Sequence, residues 1–277
     1  ALDWMVRECY IPRTREGVDG HWLDLGEPEQ HDDDSHHQGG SVSQVHNEFG
    51  NLWVESVYNG LRSEFPDMRP MLMPRAGTSG MQRFSTFPWT GDIRRSWSGL
   101  QAQIPALVSA SMSGIGYIGS DVGGFAAEGY TDANLYLRWV EQSVFTPVIR
   151  THSKDKPEPT HDIYDGIRDD VRRFINLHYQ YLPYTYTLAW WNSIKGTPLA
   201  RPVNMYDANP ATLASVTDEY LWGRYILVAP VVNEGESRTV RFPDGKWLDM
   251  NDYTRIYTGS TQYSAPLGKL PYFGRVG

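Results

Sequence analysis

The stretch Val18-Asp-Gly-His-Trp-Leu-Asp-Leu-Gly-Glu-Pro28 carries most of the information about the fold of this chain. Its apolar residues predict a β-strand over Val18–Leu25, with Asp24 at the carboxyl end and a Gly/Pro turn after it. Helical periodicity follows over Val45–Glu64, and a second apolar run occupies Met68–Pro74. This strand–helix–strand order predicts a βαβ unit with parallel strands.

The alternation of short apolar runs and amphipathic stretches continues through the first two-thirds of the chain. The further predicted elements are strands over Gly114–Ile118 and Val144–Ile149 and helices over Trp97–Met112, Asp132–Gln142 and about Tyr164 to Ile194, which Gly196 ends. The pattern predicts an α/β fold with a parallel sheet. The chain has 277 residues, which is enough for one large domain of this class, since a complete (β/α)8 barrel takes roughly 250 residues.

From about Asp218 the segments become shorter and are separated by turn residues. Strands are predicted over Tyr225–Val232, Ser237–Phe242, Lys246–Leu248 and Thr254–Tyr257. Pro243 and Gly245 in Pro-Asp-Gly are typical of a tight turn. We therefore expect a partial barrel over residues 1–205 and the start of an antiparallel β-sandwich over 206–277. Residues 29–44, EQHDDDSHHQGGSVSQ, predict a polar surface insert in the barrel.

Composition narrows the classes of function. The formal net charge of −8 argues against a nucleic-acid partner. The one cysteine, Cys9, excludes an internal disulfide, and the absence of a long apolar run predicts no membrane partner. The 10 Trp and 17 Tyr suit either core packing or flat platforms for sugar rings. A periplasmic, secreted or cytoplasmic location stays open, as does the oligomeric state.

Charged side chains follow the predicted strands at matching ends. They are Asp24, Arg75, Asp92, Asp121 and His152. A lone Asp after a strand is more often a helix N-cap, and an Arg or His there can serve a structural ion pair. The carboxyl ends of parallel strands, however, are where catalytic residues of α/β folds collect. Paired carboxylates are what glycoside cleavage needs: one attacks the anomeric carbon and the other protonates the departing oxygen.

At these positions the sequence resembles glycoside hydrolase family 31. The resemblance covers nearly the whole chain and rests on four motifs in the family's order. They are Trp22-Leu-Asp-Leu-Gly-Glu27, Trp89-Thr-Gly-Asp-Ile93, Gly119-Ser-Asp-Val-Gly-Gly-Phe125 and Arg150-Thr-His152. The chain departs from the family at Gly26 and Ile93, where the family has Asn.

The resemblance implies a retaining α-glycosidase, α-glucosidase-like, with Asp24 as nucleophile and Asp92 as general acid/base. It implies that an α-linked oligosaccharide or glycoside is the substrate and that no cofactor or metal is needed. The substrate-binding residues it implies are Trp22, Glu27, Arg75, Trp89, Asp121, Phe125 and His152. Only about 20 residues precede Asp24, so we expect this chain to be part of a longer protein.

Four other functions stay open. The same mechanism could serve an α-transglucosylase, in which a sugar hydroxyl replaces water, or an α-galactosidase. The chain could be a carbohydrate-binding protein without catalysis. A metal-dependent hydrolase could use the acidic and histidine side chains of the insert, namely Glu29, His31, Asp32, Asp33, Asp34, His36 and His37.

Overall fold

Helices and strands alternate through the first two-thirds of the chain in the computed structural model, which describes residues 2–126, 132–154 and 166–277. The helices are α1 (Leu2–Met5), α2 (Ile11–Arg15), α3 (Val42–Glu64), α4 (Trp97–Met112), α5 (Ala133–Ser143) and α6 (Arg168–Lys195). The strands are β1 (Gly20–Leu23), β2 (His36–His37), β3 (Gly40–Ser41), β4 (Met71–Pro74), β5 (Asp121–Val122), β6 (Arg150–Thr151), β7 (Ala200–Arg201), β8 (Tyr220–Trp222), β9 (Ile226–Val228), β10 (Ser237–Arg241), β11 (Lys246–Asp249), β12 (Ile256–Tyr257), β13 (Ser260–Ser264) and β14 (Tyr272–Val276).

The chain divides into two units, of which the first ends at Trp89 and the second begins at Thr90. In the first unit β1 and β4 pair in parallel, as predicted, with Leu23 opposite Pro74. Helix α3 begins at Ser41, whose backbone N–H donates to the Gln44 side chain at 2.9 Å. The apolar face of α3 packs against both strands, and Val54 and Leu61 of the helix form one buried cluster with Leu72 of β4 and Leu23 of β1.

Residues 2–15 are helical, which was not predicted from the sequence. Helices α1 and α2 are joined by a π-helical turn over Val6–Tyr10, and Val6 is buried against α3. The insert is also more ordered than predicted. Within it β2 and β3 form a short hairpin, and its last residues begin α3.

In the second unit β5 and β6 form a short parallel pair, and helices α4, α5 and α6 pack in one buried cluster that includes Val122 of β5. The three helices lie where the sequence predicted them, although Tyr164 and Asp165 at the predicted start of α6 fall outside the described residues. Asp132 caps α5 by accepting the backbone N–H of Asn134 at 2.8 Å. Gly196 ends α6 in the left-handed region at φ 67°.

Two predicted strands are wrong. Residues 114–118 form turns after α4, because Gly114 takes φ 87° and the N–H of Ile115 returns to Ala110. Residues 144–147 form a turn and a bend after α5, with Val144 and Phe145 buried in the core, and residues 148–149 have no regular secondary structure. Short apolar runs of this kind fit a buried strand and a buried turn equally well by periodicity. The actual strands, β5 and β6, contain only two residues each.

The last part of the chain is antiparallel, as predicted. Six strands form one sheet in the order β12-β11-β14-β9-β8-β7, and the β10–β13 pair packs against it through a shared apolar cluster. Gly245 in the predicted turn has φ 118°. Strands β8, β13 and β14 were not predicted. The domain boundary at 205/206 stays a prediction; β7 already belongs to the antiparallel sheet.

No helix of the described ranges combines the length and the apolar character that crossing a bilayer requires.

Candidate active site

Asp24 and Arg75 follow directly after the paired ends of β1 and β4. The Arg75 N–H donates to the carbonyl of Leu23 at 3.2 Å, which continues the strand ladder by one residue. This places the Nε of Arg75 3.5 Å from Oδ1 of Asp24. The Asp24 side chain is 44% exposed, whereas that of Arg75 is 10% exposed. The parallel strands thus present an accessible carboxylate beside a buried guanidinium.

The backbone just after Asp24 is strained. Leu25 has φ 64°, a left-handed conformation that costs a side chain with a Cβ roughly 1 kcal/mol or more. The turn points the Leu25 N–H at Oδ1 of Asp24, at 3.0 Å. The strained residue therefore fixes the orientation of the carboxylate that precedes it.

Arg75 is shared by three carboxylates. Its Nε donates to Oε1 of Glu27 at 2.7 Å and its Nη2 donates to Oε2 at 3.0 Å, which is a bidentate pair. Glu29 lies 3.5 Å from the same guanidinium. The hydrogen bonds from Arg75 lower the pKa of Glu27, so Glu27 is ionised at neutral pH. Glu27, which the resemblance implied to be a substrate-binding residue, is the principal partner of Arg75 among these carboxylates.

Gly26 accounts for one of the departures from the family motif. A Cβ at this position would lie 2.6 Å from the ring of Trp53 on α3, closer than any ordinary contact. The turn after Asp24 therefore lies directly on the helix surface. A side chain such as Asn has no room there unless Trp53 moves.

Trp22 and Trp89 form an aromatic pair in the same unit. Their ring centroids lie 5.7 Å apart with an interplanar angle of 79°, an edge-to-face contact. Trp89 is buried and Trp22 is 47% exposed. The pair supports one open aromatic ring beside Asp24, which is the type of surface that binds the apolar face of a sugar.

Asp92 lies in a loop of the second unit that is fixed at both ends. Before it, the Thr90 N–H donates to Gly119 at 3.2 Å and its hydroxyl donates to Gln103 at 2.7 Å. After it, the carbonyl of Ile93 accepts the N–H of Phe125 at 2.9 Å. Asp92 itself is exposed. The loop thus holds an accessible carboxylate on a rigid support.

The other site residues of the second unit form two side-chain pairs. Asp121 is fully buried on β5 and forms a salt bridge with Arg150, its register partner on β6. The rings of Phe125 and His152 are stacked, with centroids 5.2 Å apart and an interplanar angle of 28°. The Asp121 side chain is fully buried, and its carboxylate pairs with Arg150 across the two strands.

The structure brings the nine predicted residues together in two groups. Trp22, Asp24, Glu27, Arg75 and Trp89 lie in the first unit, and Asp92, Asp121, Phe125 and His152 lie in the second. Arg150, in the quoted Arg-Thr-His motif, was not among the predicted site residues, although it pairs with Asp121. The contact of Glu29 with Arg75 was also not predicted, because the polar insert gave no periodic signal.

The insert does not assemble a metal site. Among residues 2–126, 132–154 and 166–277, no three His, Cys, Asp or Glu side chains are arranged to hold a metal ion. The two ring nitrogens of His31 face two different histidines, His37 and His46, so the three rings do not converge on one point. The metal-dependent hydrolase receives no support from this geometry.

Comparison with known proteins gives matches along the whole chain. The model for the glycosyl hydrolases family 31 TIM-barrel domain matches residues 1–188, and that for the glycosyl hydrolase family 31 C-terminal domain matches residues 196–277. The predicted fold class, a TIM-barrel domain followed by an antiparallel C-terminal domain, is confirmed.

Several characterised proteins are similar to this chain. Alpha-glucosidase 2 of Bacillus thermoamyloliquefaciens is 33% identical, over 94% of this chain and 35% of the relative. Isomaltosyltransferase of Sporosarcina globispora is 29% identical, over 99% and 26%. A sulfoquinovosidase and an alpha-xylosidase are also among the relatives.

Solved structures are similar too. A Flavobacterium johnsoniae GH31 dextranase complexed with isomaltotriose has a TM-score of 0.92 and 30% identity, covering 99% of this chain and 36% of the dextranase chain. The chain spans about a third of the length of the proteins it matches. The motifs, the fold and the family models agree, and the chain belongs to glycosyl hydrolase family 31.

Proposed function

We propose that this chain supplies the catalytic carboxylates of a retaining α-glycosidase. The observation that carries the proposal is Asp24, an accessible carboxylate at the end of β1, oriented by the Leu25 N–H and 3.5 Å from Arg75. Asp92, also accessible, is held by a loop with fixed ends. In retaining enzymes the two carboxyl groups act roughly 5–5.5 Å apart, one as nucleophile and one as acid/base.

The proposed reaction has two displacements. An oxygen of Asp24 attacks the anomeric carbon while the glycosidic bond breaks and the Asp92 carboxyl donates its proton to the leaving oxygen. Asp92, now ionised, then takes a proton from the acceptor, whose oxygen attacks the same carbon and releases Asp24. Two inversions retain the anomeric configuration. Trp22 offers the sugar an apolar face, and Arg75, Glu27 and His152 offer hydrogen bonds.

The first experiment is covalent trapping on the full-length gene product. The protein is incubated with 5-fluoro-α-D-glucosyl fluoride and the labelled peptide is mapped by mass spectrometry. An adduct on Asp24 supports the proposed nucleophile and a gluco-configured substrate. No adduct, together with turnover of an α-galactoside, keeps the mechanism and changes the sugar. No adduct and no turnover of any α-glycoside favours a carbohydrate-binding protein.

Two variants separate the roles of the carboxylates. Asp24→Ala abolishes turnover of all substrates, because no covalent intermediate can form. Asp92→Ala loses substrates with poor leaving groups and spares glycosyl fluorides, whose departure needs no protonation. Equal loss of both substrate classes in Asp92→Ala would contradict the assignment of the acid.

Transglycosylation is the second candidate, favoured by the similarity to an isomaltosyltransferase. In that reaction a sugar hydroxyl replaces water as the acceptor in the second displacement. Analysis of the products with and without added maltose distinguishes the two. Longer saccharides that appear only with maltose indicate transfer, whereas an unchanged yield of free sugar indicates hydrolysis.

A further inference from the structure

Three histidines of the first unit form a contiguous chain of rings beside the segment that carries Glu27. His31 lies in the loop, His37 on β2 and His46 on α3. The Nε2 of His31 is 2.5 Å from the Nε2 of His37, and its Nδ1 is 3.1 Å from the Nδ1 of His46. Phe49, one turn after His46, packs against the rings of both His31 and His37 at 5.9 and 5.8 Å. We call these three histidines the histidine cluster.

The number of protons the cluster can hold follows from its contacts. Each nitrogen–nitrogen contact needs one N–H donor and one bare nitrogen as acceptor. The two contacts therefore take two protons, and the two outer nitrogens, on His37 and His46, can take two more. Three neutral rings carry three protons, so the cluster accepts one extra proton. A further proton would set two N–H groups against each other across one contact.

The histidine cluster lies at the carboxyl end of the segment 26–31, which carries two of the carboxylates that contact Arg75. Gly26 fixes the near end of this segment against Trp53 on α3. His31 fixes the far end against His46 and Phe49 on the same helix. Between these two anchors lie Glu27, which pairs with Arg75 at 2.7 and 3.0 Å, and Glu29 at 3.5 Å. Losing the second anchor would free the segment to move away from the guanidinium.

The charged groups around the cluster determine how it responds to pH. Asp32, next to His31 on the loop, favours its protonated form, whereas His37 and His46 oppose it. Partial burial and these two histidines lower the pKa of His31. Glu27 interacts electrostatically with His46. A histidine with a lowered pKa contributes stability that is present above its unfolded pKa and is lost as the pH falls.

We propose that His31, held between His37 and His46, is a positioning residue that keeps Glu27 and Glu29 against Arg75, and that this support fails when the cluster takes up a second extra proton. The inference rests on the proposed function, because Arg75 matters through its neighbour Asp24. On acidification the loop loses its anchor, the Glu27–Arg75 pair loosens and turnover falls.

The test measures kcat and KM against pH for the full-length protein and a set of variants. His31→Ala removes both contacts and is expected to lower kcat about tenfold at neutral pH, since small misplacements near a reacting group are costly. The double variant His37→Gln with His46→Asn keeps an amide at each contacting position and removes both titrating partners. It is expected to keep the wild-type kcat at pH 7 and to lose activity only at a lower pH than the wild type. His36→Asn, an exposed histidine on the same strand as His37, is the matched control.

The results distinguish a failure of the proposed function from a failure of the positioning role of His31. Turnover that persists in Asp24→Ala overturns the proposed function. Inactive Asp24→Ala together with wild-type kcat in His31→Ala overturns the positioning role alone. An acid limb in the double amide variant that coincides with the wild type overturns the proton-dependent release. If circular dichroism shows His31→Ala to be unfolded, the double variant decides the inference by its pH profile.

Discussion

At the scale of single residues, the surroundings of Asp24 combine strain with charge. The left-handed backbone of Leu25 is sterically unfavourable, and its side chain is nearly half exposed, so burial offsets little of this cost. Arg75 is held by Glu27 in a bidentate pair that a lysine, with one ammonium centre, could not reproduce. Both features orient the Asp24 carboxylate, because the turn directs the Leu25 N–H at Oδ1 and Arg75 lies 3.5 Å from the same oxygen.

Leu25→Gly is expected to stabilise the protein relative to Leu25→Ala by about 1 kcal/mol. Both variants lose the same side chain beyond Cβ, but only glycine adopts φ 64° without a steric cost. Urea unfolding of the two variants measures the difference. We expect kcat to be lower in the glycine variant, because the turn then has more freedom. Equal stabilities of the two variants would show that the turn is not strained.

At the scale of elements, helix α3 supports the loop that follows β1. It provides Trp53 below Gly26 and His46 and Phe49 beside His31. Twenty-three residues of one helix thus position a segment that has almost no regular structure of its own. The contact with Trp53 explains why glycine occupies position 26, where the resemblance would lead one to expect Asn.

Gly26→Asn is expected to lower the free energy of unfolding by about 1–3 kcal/mol, because its Cβ would overlap the Trp53 ring. In a Trp53→Ala background the same substitution should cost much less. A double-mutant cycle by urea unfolding measures this coupling. Gly166→Ala, where a Cβ meets no atom of the described residues within 4 Å, is the control. Additive effects of Gly26→Asn and Trp53→Ala would contradict the contact.

At the scale of the whole molecule, the second unit contains one long helix with an open apolar face. Helix α6 buries only Val171, Phe174 and Leu188 of its 28 residues. Exposed apolar side chains recur at three- and four-residue spacing, at Tyr179, Leu182, Tyr186, Trp190 and Ile194. Such spacing places them on one face of a helix. Contiguous apolar patches of this kind promote association.

The 277-residue chain on its own is therefore expected to self-associate with rising concentration. Light scattering after size exclusion measures its mass across a dilution series. Tyr186→Lys combined with Trp190→Lys should shift the chain towards the monomer, because two charges then interrupt the face. Tyr253→Lys adds a charge at an exposed tyrosine in the turn between β11 and β12 and should leave the mass unchanged. A monomeric wild-type chain at every concentration would contradict the expectation.

A second prediction at this scale concerns pH. Burial raises the pKa of Glu219 to about 7, although Arg238 lies 2.8 Å away and opposes the shift. An acid with a raised pKa contributes stability below its unfolded pKa, and this contribution is lost as the pH rises through about 7. Urea unfolding at pH 5, 6, 7 and 8 should show this decline, and Glu219→Gln should flatten it. An equally steep profile in the variant would assign the decline to another group.

The sequence by itself predicted the main helices, the parallel strands on either side of α3 and the antiparallel character of the last part, but not the helices before β1 or every strand of the C-terminal part. Helices α3, α4 and α5 follow from period and capping residues, which are local signals. Asp24 and Arg75 were predicted to follow neighbouring parallel strands, and they do. The two-residue strands β5 and β6 were beyond prediction, since two residues carry no periodicity. The apolar runs before them, residues 114–118 and 144–149, have the composition of strands but do not form strands.

Only the tertiary structure decided which side chains meet. Glu27 and Arg75 are separated by 48 positions, and Asp121 and Arg150 by 29, so no local pattern could pair them. The same holds for Gly26 with Trp53 and for His31 with His46. Backbone conformation is largely set by neighbours in sequence, whereas the partner of a charge or a ring depends on which surfaces the completed fold brings together. For this chain, the sequence predicted the catalytic candidates and the fold determined the contacts around them.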